Sequence, residues 1–247
     1  MSNDLEAIRR RHPLVHSITN LVAMNFSANV LLALGASPLM AHAMDELEEI
    51  AGKADATILN IGTPDNSQAE AMLLTGKTMN AVHKPVVLDP AGAGFTAYRT
   101  RIALRLLNDC QPTIVKGNAT EIMALAGMSV HSKGMDSEVG AEEAIEAAQI
   151  LAERHHTIVV VSGPTDYITD GTQVTSIGWG SPLMSRITAM GCSASAVAGA
   201  FAAVNPNPFA AAVHGMTAMG LAGQRAARTA TTPGTFPTCF IDELYRL

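Results

Sequence analysis

Apolar residues in this chain fall in short unbroken runs, separated by stretches where they recur at helical spacing. The runs Ser37–Ala41, Ala56–Ile61, Pro85–Asp89, Thr113–Val115 and Thr157–Ser162 are candidate strands. They do not alternate apolar with polar, which is the pattern of parallel strands buried on both faces. Between and around them, helical patterns cover Leu21–Leu34, Asp45–Lys53, Ser67–His83, Tyr98–Asn108, Ala119–Ala126 and Ala141–Arg154. Repeated strand–helix units predict an α/β protein with one doubly wound, mostly parallel central sheet flanked by helices. Tyr167–Gly171 and Gln173–Ile177 predict a hairpin around Asp170-Gly171. The remainder is helical. No repeat or linker interrupts the pattern, so residues 1–247 are expected to form a single domain.

Charge narrows the picture. Only 15% of the 247 residues are charged, 48% are hydrophobic, and the net charge is −6. Nucleic acid and anionic membranes favour clustered Lys and Arg, which this chain lacks. The run Arg9-Arg10-Arg11 sits where an N-terminal helix ends, a position that suits cations. From Ile187 to Ala230 only Arg225 and Arg228 are charged. Asn205-Pro206-Asn207-Pro208 breaks this stretch into pieces shorter than the roughly 20 apolar residues that span a bilayer. Burial against other subunits is the alternative, and it predicts a homo-oligomer. The polar start MSNDLEAIRRRH has no apolar signal-peptide core. Three scattered cysteines argue for a reducing compartment, so a cytoplasmic location is expected.

Two motif matches fail on context. AMLLTGKT, Ala71–Thr78, approaches a phosphate loop but lies inside a helical pattern, whereas such a loop leaves a strand. GAGFTA, Gly92–Ala97, follows a strand, but Asp89 before it would repel a pyrophosphate and no acidic strand end lies about 20 residues on.

Ligands of such sheets bind at the carboxyl ends of the strands. Asp89 and Glu121 fall just past two adjacent candidate strands, and paired carboxylates there suit a hard cation such as Mg²⁺. Asn118-x-x-Glu121 is also a capping-box spacing, so Glu121 has a structural alternative, and Asp89 before Pro90 has one as a turn residue. Gly191-Cys192 opens a helix of small residues, whose free N–H groups suit an anion. The alternative for Cys192 is an inert buried thiol.

Six ordered stretches extend this to the whole chain: Pro13–Asn20 (PLVHSITN), Leu31–Met40, Leu59–Thr63, Val87–Gly94, Lys116–Gly127 and Ala189–Val197 (AMGCSASAV). On these residues the chain resembles the hydroxyethylthiazole kinase family, of ribokinase-like fold. The resemblance implies ATP-dependent phosphorylation of the primary alcohol of 4-methyl-5-(2-hydroxyethyl)thiazole in thiamin salvage, with Mg²⁺. It implies a homotrimer with active sites between subunits. Asp89 and Glu121 would organise the metal. Asn20, Met40, Gly62, Thr63 and Ala189 would line the thiazole side. Lys116, Asn118 and Ser162 would face ATP, and Cys192 with Gly191 would stand at the transferring phosphoryl group. The chain departs from the family's pattern at Ala189, where a glycine is usual, at Lys116, usually Arg, and at Ser162-Gly163-Pro164, usually Thr-Gly-Glu. A left-handed backbone at position 189 would strain an alanine. Two other readings stay open: acyl transfer by Cys192 with His16 or His214 as base, and non-catalytic thiazole binding.

Overall fold

The computed structural model describes residues 1–128 and 140–247. Eight strands form one sheet: β1 Leu14–Ile18, β2 Ser37–Leu39, β3 Ala56–Asn60, β4 Val86–Asp89, β5 Ile114–Asn118, β6 Ile158–Ser162, β7 Asp166–Thr169 and β8 Val174–Ile177. Their order is β2-β1-β3-β4-β5-β6-β7-β8. The strands are parallel from β2 to β6, and β7 and β8 add an antiparallel hairpin. The strand order reverses at β1, which has β2 on one side and β3 on the other. That crevice is where a sheet of this kind holds a ligand.

Helices cover both faces. On one lie α1 Ser2–Arg11, α2 Met24–Leu34, α8 Met190–Ala202, α9 Pro208–Ala226 and α10 Phe236–Tyr245, packed around Phe201, Phe236 and Phe240. On the other lie α3 Leu47–Lys53, α4 Asn66–Ala81, α5 Ala97–Cys110, α6 Ala119–Leu125 and α7 Ile145–His155, around Met72, Leu106 and Leu151. Small side chains let α8 and α9 meet closely: a β-carbon on Gly215 would lie 3.2 Å from the Ala198 Cα.

Local chemistry accounts for the helix starts. Asp65 accepts from Gln68 N at 2.7 Å, Thr96 from Arg99 N at 3.2 Å and Asn207 from Ala210 N at 3.0 Å. AMLLTGKT lies wholly within α4. The expected helix from Leu21 starts three residues later, because Leu21–Ala23 form a turn in which Ala23 N bonds Asn20 O. β1 was absent from the hydrophobic pattern, since LVHSI carries His16 and Ser17 at its centre. Both are buried, and His16 is held by Ala41 O at 2.8 Å and the Thr57 hydroxyl at 3.2 Å. β5 runs three residues past its expected end, through Lys116 and Gly117 to Asn118, because β6 pairs with it throughout.

Candidate active site

The strand exits bring most of the candidate residues into one hydrogen-bonded group. Asn20, two residues beyond β1, is buried. Its Nδ2 donates to Asn60 Oδ1 at 2.8 Å and to Cys192 Sγ at 3.2 Å. Gly62 N donates to the same Asn60 oxygen at 2.9 Å. Only glycine fits there, because a β-carbon would lie 2.6 Å from Asn20 Nδ2. Thr63 Oγ1 accepts from Leu21 N at 3.2 Å, tying the β3 exit to the β1 exit. Met40, one residue past edge strand β2, is half-buried and outside this hydrogen-bonded group.

Helix α8 joins the two sides of the site. Cys192 and Ser195 lie three residues apart, on one helix face. Cys192 receives Asn20, and Ser195 donates to Asp89 Oδ2 at 2.7 Å. Ala189 starts the helix with φ 71° and ψ −1°, the left-handed conformation that strains a side chain with a β-carbon. The Gly191 carbonyl accepts from the buried Lys116 Nζ at 3.0 Å.

Glu121 serves two structures at once. Its backbone N–H bonds Asn118 Oδ1 at 3.0 Å while its Oε2 accepts from Asn118 N at 2.8 Å, a complete capping box. Its Oε1 accepts from Gly92 N at 2.8 Å, in the loop after Asp89. Ser162, at the end of β6, donates to Gly117 O at 3.2 Å. Arg99 braces the loops by donating to the carbonyls of Ile61 and Ala91 at 3.1 and 2.9 Å.

The electrostatics are those of a site short of positive charge. Burial raises the Asp89 pKa, opposed by the Lys116 charge, the bond from Ser195 and the Asn60 amide that faces it. Burial and then the Asp89 charge push Glu121 up to about 7. Burial and Asp89 likewise push the Cys192 thiol up to about 11. A helix N-terminus favours a thiolate, but here desolvation and a nearby carboxylate outweigh it. Asp166, whose Oδ1 accepts from Gly163 N at 3.0 Å, is pushed to about 6 by burial, against the Lys116 charge. A divalent cation fits this donor set, which offers two buried carboxylates with too little positive charge beside them. Among the described residues no three His, Cys, Asp or Glu side chains converge on a metal position. An ion here would draw its other ligands from water and phosphate.

Three features were not legible in the sequence. Asn60 is the centre of the group, yet it closes an apolar run like any polar strand end. Ser195 is one of several small residues in α8. Asp166 sits in a hairpin arm. The histidines proposed as bases for Cys192 are engaged elsewhere. His16 bonds Ala41 and Thr57, and His214 pairs with Asp4 at 2.7 Å. Chemistry rather than cavity size locates the site. Two surface clefts of about 610 and 460 Å³ lie away from it, one beside Arg9 and Tyr245, the other beside Gln111 and His155.

A mostly parallel sheet covered by helices on both faces, with polar groups gathered at its strand exits, is the architecture of the ribokinase-like fold. Solved structures agree on the fold. The Staphylococcus aureus pyridoxal kinase in complex with AMP-PCP is 18% identical, with a TM-score of 0.63 over 86% of this chain and 88% of that one. A ribokinase-like superfamily protein from Enterococcus faecalis is 11% identical, with a TM-score of 0.71 over 100% and 94%. The chain belongs to the hydroxyethylthiazole kinase family, whose model matches residues 5–247. A hydroxyethylthiazole kinase of Granulibacter bethesdensis is 49% identical over 98% of this chain and 88% of its own length. One from Nitratidesulfovibrio vulgaris strain DP4 is 47% identical over 99% and 91%. The structure of a hydroxyethylthiazole kinase protein from Pyrococcus horikoshii OT3 is 42% identical, with a TM-score of 0.91 over 99% and 92%.

Proposed function

We propose that this chain, as a single kinase domain, transfers the γ-phosphoryl group of ATP to the primary alcohol of 4-methyl-5-(2-hydroxyethyl)thiazole, in thiamin salvage. One observation carries the assignment of the site. A single face of α8 holds the thiol that meets Asn20 on the acceptor side and the serine that anchors Asp89 on the phosphate side.

The alcohol lies on the acceptor side, bounded by Asn20, Met40, Gly62, Thr63 and Ala189. The phosphates lie over Gly191, with Lys116, Asn118 and Ser162 on the nucleotide side. Asp89 and Glu121 would hold Mg²⁺, which would offset the phosphate charge. The alcohol oxygen forms a bond to the γ-phosphorus as the bridging bond to ADP breaks, and ADP keeps that electron pair. The first-turn N–H groups of α8 stabilise the charge on the transferring group. Such transfers rest on positioning and electrostatics more than on a strong base. A thiol with a pKa of about 11 stays protonated at neutral pH, so Cys192 orients the alcohol, whose proton leaves late to an oxygen of the transferred phosphoryl group and from there to water.

Coupled ADP release in the presence of the thiazole alcohol, ATP and Mg²⁺ tests the reading, with thiazole-dependent ADP formation expected. Thiazole binding without turnover would instead make the chain a binder. Asp89→Asn should cost turnover about 100-fold or more while thiazole affinity stays nearly unchanged. A matching loss of affinity would refute the metal-side assignment. A cytoplasmic location accords with three free cysteines and with the lack, among the described residues, of any helix long and apolar enough to cross a membrane.

A further inference from the structure

Asn60 ends β3 in register with Asp89 at the end of β4, and its side chain is wholly buried. Its two ends differ. Oδ1 is saturated on the acceptor side, taking Asn20 Nδ2 and Gly62 N at 2.8 and 2.9 Å. Nδ2 is shielded from solvent and completes no hydrogen bond. It faces the Asp89 carboxylate and the Cys192 thiol, beyond the reach of a full bond to either. An unsatisfied buried N–H destabilises a fold, so one retained between two functional groups calls for a reason beyond packing. Hydrogen bonds of a reaction site are often long before substrates bind and tighten in the loaded complex.

We propose that Asn60 is a positioning residue for phosphoryl transfer: its oxygen sets the acceptor subsite through Asn20 and Gly62, and its amide N–H aligns Asp89 and Cys192 with it. No other side chain in the group touches Asn20 and Gly62 while facing both Asp89 and Cys192. The inference rests on the roles given above to Asp89 and Cys192.

The two ends can be tested separately by steady-state kinetics of the full chain. Asn60→Asp keeps an acceptor oxygen toward Asn20 and Gly62 but replaces the donor. It should leave the thiazole KM within about threefold of wild type and lower kcat about 100-fold, the scale of a misplaced reacting group. Asn60→Ala removes both ends and should raise the thiazole KM as well as lower kcat. A purely structural asparagine would lower the melting temperature of both variants and leave kcat and KM of the folded fraction alone; that result overturns the proposal. If Asn60→Asp does not fold, Asn60→Ala decides, and a folded Asn60→Ala with wild-type kcat overturns it equally. Asp89→Asn separates the two levels. Full turnover in Asp89→Asn refutes the site assignment itself. Full turnover in Asn60→Asp with Asp89→Asn inactive refutes only the role of Asn60.

Discussion

Ala189 is the residue where this sequence strains its own backbone. Among the described residues, four other non-glycine residues have positive φ: His12, His83, Gln111 and His156. Each of those lies just after a helix, where a left-handed residue ends the helix by satisfying its carbonyls. Ala189 lies at a helix start, φ 71°, and gains no such closure. A left-handed alanine costs roughly 1–2 kcal/mol, and the added freedom of glycine in the unfolded chain returns part of that. Ala189→Gly is therefore expected to raise the melting temperature by about 2–4 °C, measured by calorimetry. A lowered melting temperature would show that the surrounding packing prefers the methyl group. The thiol at position 192 makes a second residue-scale prediction. Its pKa is raised to about 11, so the thiolate is absent at pH 7 and grows roughly tenfold per pH unit toward 11. Alkylation of Cys192 by iodoacetamide, followed by mass spectrometry, should be very slow at pH 7 and climb steadily through pH 10. A plateau below pH 9 would mean a stabilised thiolate and a base at this position. Cys192→Asp places an ionised group there instead. Activity should be retained or raised, since a carboxylate can orient the alcohol and also take its proton, and complete loss in a folded variant would argue against an orienting role at this position.

At the scale of elements, one strand–helix junction performs two tasks. β5 runs directly into α6, and Asn118 is at once the last strand residue and the helix N-cap. Its capping box fixes Glu121, whose other oxygen then reaches the loop after Asp89. The geometry that caps α6 also directs Glu121 at the loop after Asp89. Asn118→Ala should cost about 1 kcal/mol of stability, as lost N-caps do. Turnover should fall as well, because the lost bond holds the Glu121 backbone at the helix start, even though the Asn118 N–H that meets its carboxylate remains. Equal activity at unchanged KM for ATP would show that Glu121 only caps. Elements also set the limit of what a hydrophobic pattern reveals. The apolar core of β5 was visible at Thr113–Val115, but its exit, Lys116–Asn118, breaks the apolar run and is kept in the sheet by pairing with Val160–Ser162.

For the whole molecule, the exposed surface bears on assembly. Leu21 and Val22, 70% and 64% exposed, flank Asn20 directly, and Trp179 and Phe95 are about half exposed. Exposed apolar residues of this kind favour burial by another copy of the chain. A Leu21→Asp/Val22→Asp double variant should shift sedimentation toward monomer and raise the thiazole KM together. An unchanged sedimentation coefficient would place the interface elsewhere.

The unbroken apolar runs and the capping signals were enough to define the parallel sheet, most of its helices, the Asp170-Gly171 hairpin and the helical nature of the Ala71–Thr78 decoy, because burial on both faces and local hydrogen bonding act over neighbouring residues. The family was legible too, in six ordered motifs from Pro13 to Val197. Tertiary structure alone decided the rest. β1 exists because His16 and Ser17 are buried by partners 25 or more residues away in sequence, or by surrounding helices, and no local pattern records that. The thiol pKa rises because Asp89 and desolvation overrule a helix N-terminus, a balance of distances through space. Asn60 became the centre of the site because β1, β3, β4 and α8 converge on it, four segments that only folding brings together.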